Sequence, residues 1–156
     1  MTMKNQTGCC QCGRVSYTLL DDALMLYVCH CLGCQKQSSS AFAMSLRMRR
    51  EDVEFRESSL TFWETQADSG APKVCAFCRI CGNRIYHAGG HDSDTINIKP
   101  GTLDDTSWLD PKAHIWTSRA QSWMIMNKGL PACDEQPEDM YDFVLGEKAG
   151  GQNDQP

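Results

Sequence analysis

The run Cys29-His30-Cys31-Leu32-Gly33-Cys34 puts three thiols within six residues, spaced C-x-C-x-x-C. Three sulfurs that close can converge on one zinc ion at roughly 2.3 Å. They do not complete a tetrahedron, and no further Cys or His at ligand spacing follows them locally. A fourth position left to water or substrate is the layout of a catalytic zinc, whereas a distant residue closing it makes a structural one. The spacing of the trio leaves both open.

The other cysteines bear on that choice, ten being present in all. Cys9-Cys10-Gln11-Cys12-Gly13 and Cys78-Arg79-Ile80-Cys81-Gly82 each end a cysteine pair on glycine. A metal-binding turn there calls for positive φ and for backbone N–H groups aimed at sulfur. Joined, the two pairs make a closed four-thiolate site of zinc-ribbon type that pins the N-terminal strand to the middle of the chain. The first member of the early pair is Cys10 or Cys9, which spacing does not decide. With that site filled, Cys29, Cys31 and Cys34 are left as a trio. Cys75 reads as a packed thiol on a strand, and Cys133, in a Pro-Ala-Cys-Asp loop, is a candidate to complete the trio in space.

The elements that must hold these residues are short. Alternation predicts strands over 14–20, 41–48, 60–65, 73–79, 95–99 and 121–126, with a more buried one over 24–28 running into Cys29. A short helical turn or loop is expected over 35–40, covering the metal, and a loop over 108–117. No long amphipathic helix is evident, so the expected fold is mainly β, several coiled antiparallel sheets around zinc knuckles. One domain is expected over 1–145, with a polar, Gly-rich tail over 146–156 expected to be disordered. The 156 residues can bury a sizeable core without metal. A formal net charge of −5 argues against nucleic acid or an anionic membrane as partner. No signal peptide or apolar span is visible, so the cysteines point to metal in a reducing, cytoplasmic setting rather than to disulfides.

The three cysteine clusters in this order, with Gly101-Thr102-Leu103-Asp104-Asp105, Pro111 to Trp116 and Gly129-Leu130-Pro131, resemble the glutathione-dependent formaldehyde-activating enzyme family, which includes the centromere protein V type domain. The resemblance covers roughly residues 4 to 135. It implies a β-tent fold and two zinc ions per chain. Cys10, Cys12, Cys78 and Cys81 would hold the structural ion, and Cys29, Cys31 and Cys34 the catalytic one. One departure stands out: where the family commonly has Ser-Gly-Ser after the third cysteine, this chain has Ser38-Ser39-Ser40.

Zinc held by three thiolates carries a formal charge of −1, a weak Lewis acid but a good partner for a further soft thiol. The resemblance therefore implies a carbon–sulfur lyase or synthase acting on a small thiol adduct such as S-(hydroxymethyl)glutathione. A non-catalytic zinc module and a thiol-based redox or metal-buffer protein are the competing classes. His30 lies between two ligands, where alternation turns its ring away toward solvent or a supporting position, the alternative being a catalytic base. Gln35, Lys36 and Ser38 are candidates to bond sulfur or a substrate carboxylate, and His114 and Trp116 either pack or touch substrate.

Overall fold

A computed structural model describes residues 5–146. Its strands are β1 (Gln6–Cys9), β2 (Val15–Leu19), β3 (Met25–Cys29), β4 (Ala43–Arg49), β5 (Val53–Ser58), β6 (Leu60–Gln66), β7 (Pro72–Cys78), β8 (Arg84–Ala88), β9 (Thr95–Ile98), β10 (His114–Ile115) and β11 (Ala132–Cys133). Two short helices are α1 (Leu32–Ser38) and α2 (Met140–Leu145). One sheet runs β1-β2-β5 and the other β11-β10-β3-β4-β9-β8-β7-β6. The fold is mainly β. The ladder is antiparallel except where β10 lies parallel to both β3 and β11. None of the described helices is long and apolar enough to cross a membrane. The expected tail lies, but for Gly146, outside the described residues.

Period-two alternation gives the central strands two jobs. Leu26 of β3 and Leu46 and Met48 of β4 turn into the main core with Val15, Tyr17 and Leu19 of β2 and Ile96 and Ile98 of β9. Met25, Tyr27 and Cys29 point the other way, into a second cluster with Cys31, Cys34, Ala43, Ile115, Trp116 and Val144. The trio is thus built into an apolar cluster rather than hung on a loop.

Gly8 explains how β1 closes on the rest. A Cβ there would sit 2.5 Å from the Tyr17 ring and 2.7 Å from the Thr102 carbonyl. Only a bare backbone lets Gly8 bridge to Leu103.

The strand expected over 121–126 is absent. Met124 N–H bonds the Gln121 carbonyl in a turn, and Trp123 and Ile125 are 66% and 95% exposed. The edge of β10 is taken instead by β11, from later in the chain. β5 is a strand the sequence reading omits, although Val53-Glu54-Phe55-Arg56 alternates apolar and polar; it forms a sheet edge against β2. α2 was not expected either. Its start is set by Asp139, whose carboxylate accepts from the N–H groups of Tyr141 and Asp142 at 2.7 and 3.0 Å.

Candidate metal centres

The four-cysteine cluster forms where two glycine-ended turns meet. Gly13 and Gly82 take φ of +76° and +72°, and their N–H groups close on the carbonyls of Cys10 and Cys78 at 2.9 and 2.8 Å. The two knuckles differ by one residue, Gly13 closing on the third residue back and Gly82 on the fourth. The sulfur atoms of Cys10, Cys12, Cys78 and Cys81 all lie within 4.8 Å of one another. Cys10 to Cys12 is 3.6 Å and Cys12 to Cys78 is 3.7 Å. A tetrahedron with sulfur about 2.3 Å from its centre has edges of about 3.8 Å, so the donor set fits zinc. Backbone N–H groups aim at the sulfurs: Val15 donates to Cys10 Sγ at 3.3 Å, and the Asn83 N–H helps hold the Cys81 thiol down at about 6. Cys9 turns away to Asp104 Oδ1 at 3.7 Å, which resolves the early pair in favour of Cys10.

The trio forms at a strand-to-helix junction. Cys29 ends β3, Cys31 is the N-cap of α1, and Cys34 sits in the first turn. Cys31 Sγ accepts from the Cys34 N–H at 3.3 Å, doing the work a serine or aspartate does at other caps. The three sulfurs lie within 4.8 Å of one another, and all three residues are buried. Among the described residues no fourth Cys, His, Asp or Glu joins them, Cys133 included. Hydrogen bonds from Cys29 and Cys31 hold the Cys34 thiol well below its usual range, with help from Lys99 and Lys73. The same contacts push Cys29 far up. Three thiols at one point cannot all ionise unless a cation joins them.

All three cysteines line one cavity of about 450 Å³. That volume lies within the range of small-molecule sites, about 300–1,000 Å³. Lys73, Arg47, His87, Asp68, Glu138 and Trp116 also line it. Burial first, then Lys99, Arg84, Lys73 and Arg47, keep the His87 imidazole well below its usual range and hence neutral. Trp116 stands at φ 59°, a left-handed conformation costly for a large side chain and of the kind that gathers at functional sites.

Other candidates fall elsewhere. His30 is fully buried rather than turned to solvent. Its Nε2 shares a 2.9 Å hydrogen bond with His114 Nδ1, and the rings stack at 5.2 Å. Burial lowers both imidazoles, so the neutral pair ties β3 to β10 beside the trio. Gln35 donates to the carbonyls of His30 and Arg119 at 2.7 and 2.8 Å, bracing the backbone of the trio. Ser38 bonds the Phe42 carbonyl at 2.8 Å. Neither these two nor Lys36 lines the cavity. Cys75 is fully buried, as expected of a packed thiol, and accepts from Gln37 Nε2 at 3.3 Å. Ser39, at the position of the family's glycine, takes φ 51°.

A family model described as glutathione-dependent formaldehyde-activating enzyme matches residues 5–119, a span that contains both cysteine clusters. Among solved structures, a Rhodobacter sphaeroides protein from a structural-genomics programme is similar at 22% identity with a TM-score of 0.49. The match covers 67% of this chain and 91% of that one. No curated protein matches the chain.

Proposed function

The chain belongs to the glutathione-dependent formaldehyde-activating enzyme family, and from that premise we propose that it is a zinc-dependent carbon–sulfur lyase or synthase acting on a small thiol adduct. The observation that carries this reading is the contrast between the clusters. One gathers four sulfurs, whereas the other gathers three and opens on a cavity.

Cys10, Cys12, Cys78 and Cys81 would hold a structural zinc, and Cys29, Cys31 and Cys34 a catalytic one. When bound at the trio, zinc supplies a soft position at which a thiol gives up its proton near neutral pH. The residues of the chain do the rest. Lys73 and Arg47 present positive charge to the carboxylates of a thiol such as glutathione. Trp116 and Ile115 give the cavity an apolar wall. The His30–His114 bond and the Gln35 contacts fix the backbone that carries the three sulfurs.

In the synthetic direction the substrate sulfur adds to the carbonyl carbon of formaldehyde, and the oxygen takes up the proton the thiol lost. The product is an S-hydroxymethyl thioether, and the reverse reaction breaks the same carbon–sulfur bond. Thiols and formaldehyde also combine unaided, so the test is an exchange rate. Two-dimensional exchange NMR on equilibrated glutathione and formaldehyde should show faster interconversion with zinc-loaded wild type than with Cys31→Ser. Equal rates for the two proteins would sink the enzymatic reading.

A further inference from the structure

A second cavity of about 420 Å³ opens between the end of α1, β4 and the turn that follows β9. None of the seven clustered cysteines lines it, although Lys99 on its wall also acts on the Cys34 thiol. Its wall contains two cations, Arg84 and Lys99, only 6% and 9% exposed. No Asp or Glu lines the cavity. Among the described residues, no carboxylate forms an ion pair with either cation.

The hydrogen bonding of this pair is incomplete. Arg84 Nη2 has only the Cys75 sulfur, at 3.8 Å, and Arg84 Nε and Nη1 are buried with no partner. Lys99 Nζ bonds the Ser45 hydroxyl at 3.1 Å and the Met44 carbonyl at 3.4 Å, both neutral. Burial and Arg84 draw the Lys99 ammonium down to about 7, and the Cys34 and Cys29 sulfurs partly offset this. Arg84 has no such counter-charge, and burying an unpaired charge is costly. An arrangement of this kind is stable when an anion completes it.

We propose that this cavity binds a small carboxylate, with its planar head on the Arg84 guanidinium and Lys99 as the second positive charge. The guanidinium fork matches a carboxylate's two oxygens. Phe42, Met44 and Pro100 supply an apolar wall for a short carbon chain, which phosphate would not use.

Thermal unfolding of the zinc-loaded protein in sodium propionate, sodium phosphate and sodium chloride, at equal ionic strength, tests this. Ligand that binds only the native state raises Tm saturably. Propionate should do so beyond chloride, and its half-saturation should rise about tenfold or more in Lys99→Met, as expected for loss of a charge-assisted bond. Cys31→Ser should keep the propionate response, since the trio is not part of the cavity. Should Lys99→Met not fold, intermolecular Overhauser contacts from propionate to the Met44 methyl in wild type decide the matter. The proposal is overturned by a propionate response no greater than chloride's, by an equal response in Lys99→Met, by its loss in Cys31→Ser, by absence of the Met44 contact, or by a response to phosphate alone.

Discussion

Cys31 Sγ caps the helix that carries Cys34, accepting its backbone N–H at 3.3 Å, so one member of the trio positions another before any metal arrives. Serine can make the same cap and alanine cannot. Cys31→Ser should therefore lose one of two zinc ions and keep its fold. Cys31→Ala should lose the same ion and a further ~1 kcal/mol of stability. Zinc content by mass spectrometry and denaturant unfolding of the metal-depleted variants measure both. If Cys31→Ser unfolds outright, the trio is structural.

The four-sulfur cluster carries the opposite expectation. It ties β1 and β2 to the β7–β8 turn across more than sixty positions, Cys12 to Cys78 being 66 apart. Its zinc would be bound only by the folded chain, so its binding energy is folding energy. Cys81→Ser should lower the unfolding temperature far more than Cys31→Ser does. Calorimetry on the two variants side by side gives the order, and the reverse order would exchange the roles of the clusters.

Ser39 occupies a left-handed position at the C-terminus of α1, φ 51°. A residue with a Cβ is strained there by about 1–2 kcal/mol, while glycine adds unfolded-chain entropy that offsets about 0.4–1 kcal/mol. Ser39→Gly should thus stabilise by a net ~0.5 kcal/mol, read as a raised denaturant midpoint with unchanged slope. A destabilised variant would mean that the serine side chain matters more than the backbone.

His87 supplies a pH dependence with a definite sign. Its imidazole is held neutral in the fold by burial and by the neighbouring cations, well below its unfolded value. Below about pH 6.5 the unfolded chain takes up a proton that the folded one refuses, so stability falls by up to about 1.4 kcal/mol per pH unit. Above that pH the contribution is fully present. His87→Gln should flatten the slope between pH 6.5 and 5 relative to wild type. Parallel slopes would show that the imidazole titrates alike in both states.

Much of the site was legible in the sequence because its ligands are local. The C-x-C-x-x-C run and the two Gly-ended pairs are set by turns a few residues long, and positive φ at Gly13 and Gly82 bears out the reading of those glycines. Strands with clean alternation, such as Thr95–Ile98, were equally plain. What depends on distant pairing was not. His30 meets His114 only because β10 lies parallel to β3, pairing His114 with Val28, two residues before His30. The cations Arg47 and Lys73 reach the trio's cavity from β4 and β7, and the wall at Met140 comes from a helix of six residues, too short to show a helical period. The run 121–126 failed for the same reason, since alternation alone does not supply a neighbouring strand.

The open position is tested most directly by counting sulfur around zinc with X-ray absorption, in wild-type protein loaded with two zinc ions, before and after glutathione. The expected averages are about 3.5 sulfurs per zinc without the thiol and about 4 with it, from one closed and one open tetrahedron. Four sulfurs per zinc from the outset, or a count that glutathione leaves unchanged, would contradict a trio that takes its fourth ligand from the substrate.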